Sequence, residues 1–319
     1  MKRGGKAVPG GAPEASGRDD QIMEFVGVST AGSSIMKVFP AWARALGLPG
    51  ARLVGHDVPL DAPPRAYREL VAGMRDDPRR RGALVTTHKI AIHRAAADLF
   101  DEIDDFGTLA GEISSISKRG DRLIGHAKDP ITAGLALEEF LDPRHFARTG
   151  GRVLCLGAGG AGTAIAWYLA RRPDAPEEII CTDVDGERLR ALEDLLARGG
   201  TGTKLTTHLV NGRADHLLDG LPPGSLVVNA SGLGKDRPGS PLGPDAAFPR
   251  GALVWELNYR GELDFLHAAR AQREAAGLTV VDGWRYFIHG WSQVIAEVFD
   301  LPMGPEVVDE LSRIAGEVR

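Results

Sequence analysis

The chain has 319 residues, 43% of them hydrophobic and 25% charged, with 38 cationic against 43 acidic side chains and a formal net charge of −5. That balance leaves no footprint for nucleic acid, no apolar run reaches the length of a membrane span, and the length suffices for two domains with separate cores. A soluble cytoplasmic protein is therefore expected, with neither nucleic acid nor membrane as partner.

Residues 1–20 are rich in Gly, Pro, Ala and charge and lack the apolar stretch of a signal peptide, so a disordered tail is expected there. From Met23 apolar strands alternate with helical periodicity: strands over 24–28, 51–58 and 82–85, helices around 38–46 and 67–74. This alternation predicts an α/β sheet with parallel strands. Further strands at 114–117 and 122–125 complete a first segment, 21–130. The helical run 131–141 leads away, and Asp142-Pro143 and Thr149-Gly150-Gly151 mark the approach to a second domain.

That domain opens with Val153-Leu-Cys-Leu-Gly-Ala-Gly-Gly-Ala-Gly162, a short apolar strand running into a GxGxxG turn and a helix over 161–171. This is the pattern of a dinucleotide cradle. Gly157 permits the tight turn, Gly159 lets a pyrophosphate approach the backbone, and Gly162 allows close helix-sheet packing, while Ala158, Gly160 and Ala161 complete the turn. A second strand over 178–182 follows, ended by Asp183 about 20 residues beyond the last glycine, where the fingerprint places an acid. Strands at 204–209, 225–230, 253–257 and 278–281 continue a doubly wound sheet. The expected fold is thus two α/β domains, a substrate-binding domain and a Rossmann-type unit over 131–282. The apolar helical stretch 283–319 is expected to return to the first domain. Cys155 and Cys181 fall in predicted strands and read as packing residues. His88 and His93 lack the spacing of a metal site, and no zinc-like cluster occurs, so no metal is expected.

Several separated segments, in order, resemble the shikimate dehydrogenase family from Gly27 to about Phe299. Gly157-Ala-Gly-Gly-Ala161 matches the family's GAGGA, and Asn229-Ala230-Ser231-Gly-Leu-Gly234 resembles its NATSxG loop. Glu256-Leu-Asn-Tyr259 resembles DxxY, and Asp282-Gly283 through His289 resembles DGxxMLxxQ. Thr87-His88-Lys89 falls on the PxK that ends NVTxPxK, and Gly125 to Asp129 falls on GxNTD. The resemblance implies a substrate domain made from both chain ends, a nucleotide domain between them, and a cleft where they meet. It implies Lys89 and Asp129 as the catalytic pair beside the carbon that exchanges hydride with a nicotinamide. It also implies Asn229, Ala230, Ser231, Gly234 and Tyr259 on the cofactor side. An arbitrary lysine is ordinarily a solvated surface charge. Only eight of the 38 cations here are lysines, which makes a chance lysine at that position less expected.

The departures fall on the substrate. Of the family's SxS, Ser33 keeps the first position and Ile35 replaces the second. Ala83 and Val85 replace the Asn and Thr of NVT, Ser114 replaces the Asn of GAxNT, Ala127 and Lys128 replace the Asn and Thr of GxNTD, and Gly290 replaces the glutamine. Each lost hydrogen-bond partner costs a polar substrate roughly 1–3 kcal/mol, so the reading is retained hydride chemistry on a small, cyclic hydroxyl or carbonyl compound other than shikimate. Ser33, Ser114 and Lys128 remain as substrate-side candidates, and His126 and Arg285 supply further cations. Trp284, Tyr286 and Trp291 read as core in preference to a stacking platform. Asp183-Val184-Asp185 stands where many relatives carry Asn-Arg-Thr, so NAD is expected in preference to NADP: a carboxylate accepts from a ribose hydroxyl and repels a 2′-phosphate. The other use of Asp183 and Asp185 is to form the turn before the helix near Glu187. Two further readings stay open: a true shikimate or quinate dehydrogenase, and a non-catalytic nucleotide-binding regulator. The partner expected is a small-molecule substrate, with a homodimer as the assembly to test.

Overall fold

The computed structural model describes residues 20–235 and 237–318, and the expected tail lies, up to residue 19, outside the described residues. Two six-stranded sheets organise the chain.

The first sheet comprises β1 (Gln21–Gly27), β2 (Ala51–Asp57), β3 (Arg80–Val85), β4 (Glu102–Ile103), β5 (Ser115–Arg119) and β6 (Arg122–His126), ordered β2-β1-β3-β5-β6-β4. Strands β1, β2 and β3 are parallel, as the alternation predicts. Strand β5 is antiparallel to both β3 and β6. The expectation of a parallel sheet fails here because Arg119 pairs with Arg122 across the two-residue loop Gly120-Asp121, with Gly120 at φ 60°. A tight hairpin needs no crossover helix and reverses the chain.

Alternation along β1 sends Met23 and Phe25 to one face and Val26 to the other. The second face is covered by α2 (Pro64–Asp76) and α3 (Lys89–Ala96), through Tyr67, Val71, Met74 and Ile92. The first is covered by α1 (Ser34–Ala45) and the chain's last two helices. Those bury Ile288, Trp291, Ile295, Val308 and Leu311 against Met23, Phe25 and Trp42. Trp42 is fully buried and its indole N–H donates to the Leu311 carbonyl at 2.8 Å, tying the two chain ends together. Truncating a tryptophan so placed costs about 3–5 kcal/mol.

A short helix α4 (Asp105–Ala110) precedes β5, and α5 (Asp129–Glu138) leads through α6 (His145–Thr149) to the second sheet. Its strands are β7 (Val153–Leu156), β8 (Glu178–Asp183), β9 (Lys204–Leu209), β10 (Leu226–Asn229), β11 (Leu253–Glu256) and β12 (Thr279–Val281). All are parallel, in the order β12-β11-β10-β7-β8-β9. The order reverses between β7 and β10, and in open α/β sheets ligands bind at such a switch point. On one face α7 (Gly160–Ala170) and α8 (Gly186–Arg198) pack with α5, and on the other lies α9 (Asp264–Ala276). Cys155 and Cys181 face each other in register on β7 and β8, buried and unoxidised.

The C-terminal stretch is two helices where one helical run is expected, α10 (Trp284–Phe299) and α11 (Pro305–Val318). Asp300 ends α10 in the left-handed conformation (φ 57°), and Pro302 follows, which has no N–H to continue the helix. No helix among the described residues is long and apolar enough to cross a membrane.

Candidate active site

The C-terminal ends of both sheets open onto one cavity of about 650 Å³. Strand β3 ends at Val85, and the turn Thr86-Thr87-His88 delivers Lys89 as the first residue of α3. That turn is held by His88, which is buried: its Nε2 meets the Val58 carbonyl at 2.9 Å and its Nδ1 the Tyr67 hydroxyl at 3.0 Å. With the carbonyl able only to accept, Nε2 carries the proton and the tyrosine donates to Nδ1. From the other side, β6 ends at His126 and Asp129 begins α5, with Pro130 fixing the first turn. Ser114 Oγ accepts the Lys128 N–H at 2.8 Å and pins this corner.

Lys89 and Asp129 form an ion pair inside the cavity, with side chains 18% and 16% exposed. Burial opposes the ammonium charge, yet the carboxylates of Asp129 and Glu112 outweigh it and hold the Lys89 pKa above its ordinary value. Lys89 therefore stays protonated throughout the neutral range, its ammonium held by Asp129.

The glycine turn reaches the same spot. A Cβ on Gly160 would lie 3.8 Å from Lys89 Nζ, so the cradle and the ion pair share one space. Gly157, at φ 117°, passes so close to β10 that a Cβ would stand 2.6 Å from the Ala230 carbonyl, and a Cβ on Gly162 would stand 1.9 Å from Gly157 O. Gly159 has open space in front of it and caps α7 without a side chain, so the first N–H groups of that helix face a free volume. These features fit a dinucleotide pyrophosphate, which Gly157 to Gly162 would hold.

Asp183 ends β8 with its carboxylate accepting the Ala158 N–H at 2.9 Å and the Asp185 N–H at 3.0 Å, while Asp185 caps α8 through Glu187 N–H at 2.8 Å. The turn-forming use of both aspartates is thus present. Arg188 lies over the pair, 3.7 Å from Asp183 and 3.6 Å from Asp185, and lines the cavity. Asn229 is buried, donating to Glu256 at 2.6 Å and accepting from Ser231 Oγ at 2.7 Å, so it shapes the 229–231 loop from behind. Burial lifts Glu256 to about 7 against the pull of its Asn258 and Asn229 donors. Gly234 closes the loop through its carbonyl, which accepts the Leu263 N–H at 3.2 Å. Tyr259 lines the cavity and its hydroxyl donates to Ser34 at 3.2 Å, across from one sheet unit to the other.

On the substrate side the structure redistributes the candidates. Ser33 precedes α1, makes no capping bond and is not among the cavity-lining residues. Ile35 points into the core and is fully buried. Lys128 lines the cavity, but its ammonium is bound to Glu297 at 2.6 Å. His126 joins Glu297 at 3.3 Å, and these two contacts, His126 first and Lys128 next, hold that carboxyl well below the usual range despite its burial. Arg285 is a correction to the pocket cations: it pairs with Glu139 at 2.6 Å and Asp309 at 2.8 Å, outside the cavity. Tyr286 and Trp291, read from sequence as core, line the cavity together with Phe287.

Glu112 also lines the cavity and is not evident from the sequence motifs. It stands at the alanine of GAxNT, and an acid there, before the buried residues Ile113 to Ser117, is its signal. Its carboxyl faces Lys89 and Asp129 in the cavity. Burial raises it to about 7, opposed by Lys89 and reinforced by Asp129 and Asp104. Among the described residues no group of three or more His, Cys, Asp or Glu could hold a metal.

No family model matches the chain. Among curated proteins it is similar to the shikimate dehydrogenase (NADP(+)) of Sphingopyxis alaskensis, 33% identical over 292 residues, covering 90% of this chain and 93% of that one. It is 32% identical over 188 residues to the enzyme of that name from Streptococcus gordonii, a match spanning 57% of this chain and 60% of that one's length. Among solved structures it resembles a 5-ketofructose reductase of Gluconobacter sp. strain CHM43 (TM-score 0.73, 21% identity, 95% and 100% of the two chains). It also resembles a quinate dehydrogenase from Corynebacterium glutamicum in complex with NAD (TM-score 0.73, 21% identity, 94% and 99%).

Proposed function

The chain belongs to the shikimate dehydrogenase family, and on that premise we propose that it is a nicotinamide-dependent oxidoreductase acting on a small cyclic hydroxyl or carbonyl compound other than shikimate. The observation that carries this reading is the meeting of Lys89 with the glycine turn: Nζ lies 3.8 Å from where a Gly160 Cβ would be, paired with Asp129. Gly157 to Gly162 would hold a nicotinamide dinucleotide, which when bound would supply or take up the hydride. Lys89 donates its proton to the carbonyl oxygen as negative charge grows there, or receives the hydroxyl proton in the reverse direction. Asp129 orients the ammonium and, by keeping it charged, readies it for the oxyanion. Tyr259 closes the cleft against Ser34.

The substrate reading rests on the residues that share the cavity with the pair, where Leu84, Val85, Phe287, Trp291 and Val294 stand beside the hydroxyls of Thr86, Thr87 and Ser114. The hydroxyl and amide groups of the family pattern are absent from Ile35, Ala83, Val85 and Gly290. Shikimate itself remains the second reading, favoured by the names of the relatives. A screen of NADH and NADPH oxidation against cyclic and polyhydroxylated ketones, run beside shikimate and quinate oxidation, separates the two. A shikimate kcat/KM of roughly 10⁴ M⁻¹s⁻¹ or more would overturn the first.

For the cofactor, the proposed preference is NAD. Asp183 has lone pairs left for a ribose hydroxyl, and the arginine of the phosphate-gripping pattern is Val184. The relatives' names carry NADP(+), and Arg188 is a cation on that side, although its charge is shared by two carboxylates. Fluorescence titration of NADH and NADPH on one preparation decides it.

A further inference from the structure

Two polar side chains of the cavity wall are left free for a ligand. Among the described residues, neither the Glu112 carboxyl nor the Tyr286 hydroxyl is hydrogen-bonded or ion-paired to another side chain or to the main chain. Both residues line the cavity, and both face Asp129. Both side chains are partly buried on the cavity wall, so their polar groups stay available to a ligand that displaces water there. Neither has an evident structural task. Lys89, which Glu112 faces, already has Asp129, and the Tyr286 ring packs edge-on to Trp255 at 5.6 Å without engaging its hydroxyl.

Resting on the reading of this cavity as the substrate site, we propose that Glu112 and Tyr286 are its specificity-determining pair. Together they grip a hydroxyl group of an uncharged polyol-type substrate beside the reacting carbon and turn away carboxylate-bearing rings. A hydroxyl suits both: it donates to Glu112 and accepts from Tyr286. A substrate carboxylate meets Glu112 as like charge, while the cation next to it is already neutralised by Asp129. The serine pair that would have received a carboxylate is broken, with Ile35 buried in the core and Ser33 off the cavity. The groups facing Glu112 are Lys89 on α3, Asp129 on α5, Asp104 ahead of α4 and Tyr286 on α10, with His93 nearby across Gly111. The electrostatics agree: burial holds Glu112 near 7 and pushes the Tyr286 phenol up, so above neutrality the carboxylate is charged and the phenol keeps its proton.

The test uses a matched pair of ligands, shikimate and its methyl ester, which differ in one charge. Binding is measured by calorimetry to the full-length protein saturated with whichever of NADH and NADPH it binds more tightly, a state in which an alcohol binds without turnover. At pH 8 the ester should bind about ten-fold or more tighter than the acid, the coupling expected of one unscreened like-charge pair. Glu112→Gln should bring the ratio to within about three-fold. Lowering the pH to 6 should shrink the ratio in the parent and leave it flat in Glu112→Gln, because shikimate stays ionised over that range. Tyr286→Phe should weaken both ligands alike and keep the ratio. Equal or tighter binding of shikimate at pH 8, a ratio unmoved by Glu112→Gln, or no binding of the ester at millimolar concentration overturns the proposal. Loss of cofactor binding would instead sink the oxidoreductase reading, and the ligand pair would still be titrated against the protein alone.

Discussion

Where a pyrophosphate would lie, the surface offered to a ligand is backbone: the Gly157 to Gly162 turn and the free N–H groups of α7. On the opposite side it is side chains, delivered by β3, the segment after α4, the corner before α5 and one face of α10. A backbone cradle tolerates little change, since a Cβ at Gly157 or Gly162 collides with main chain. A wall of side chains can be exchanged residue by residue while its frame stays. This chain has both: its glycine turn matches the family's GAGGA, while the side-chain wall matches at Lys89 and Asp129 and departs at Val85, Lys128 and Gly290.

The largest effect that can break this contrast is at the shared point. Lys89→Ala should reduce turnover of the substrate found by screening by about 10²–10⁴-fold, the range for a positioned acid. NADH affinity should stay within a few-fold, because the side chain acts on the reacting oxygen. Steady-state kinetics and fluorescence titration check the two halves of that statement. If turnover survives, the pair is structural and the contrast loses its centre.

Gly162→Ala should do the reverse. With 1.9 Å between the new Cβ and Gly157 O, the turn must shift, and cofactor affinity should fall by about ten-fold or more with a lower thermal midpoint. Asp183→Asn combined with Val184→Arg should move preference toward NADPH by about ten-fold, read by the same titration, because an arginine then faces the 2′-phosphate in place of a carboxylate.

Glu112→Gln sharpens the other side. The folded pKa is about 7 against an ordinary 4.5, so the native state binds more protons than the unfolded chain between those values, and stability falls as pH rises through that window. Removing the charge should therefore stabilise the protein at pH 8, by up to about 3 kcal/mol before solvent screening, and leave it nearly unchanged at pH 4. Thermal unfolding at the two pH values measures it. A residue that costs stability in the empty protein is one kept for its ligand. The smallest effect is expected at Arg285, whose partners lie outside the cavity. Arg285→Ala should change kcat/KM by less than about two-fold and stability by about 0–1 kcal/mol.

The same contrast explains how much was legible in advance. The parallel nucleotide sheet follows from local signals: apolar β7, the glycine turn, and Asp183 at the end of β8. The antiparallel β5 depends on a two-residue turn, Gly120-Asp121, whose signal is short enough to be overridden by the surrounding alternation. Lys89 and Asp129 are legible because each sits at the end of a recognisable segment. Arg285 misleads because it lies within a cavity-forming segment while its side chain points to Glu139 and Asp309. Glu112 and Tyr286 gain their meaning only from convergence: residues 112, 129 and 286 are far apart in the chain and meet in one cavity. No spacing rule on a single strand or helix would bring them together.

The central claim is that the glycine turn and the Lys89–Asp129 pair serve one bound dinucleotide. A crystal structure of the protein with NAD+ tests it without knowledge of the substrate. The pyrophosphate is expected on the Gly157 to Gly162 turn and the nicotinamide ring in the cavity beside Lys89 and Asp129. A nicotinamide directed away from that pair, or a dinucleotide bound elsewhere, would contradict it.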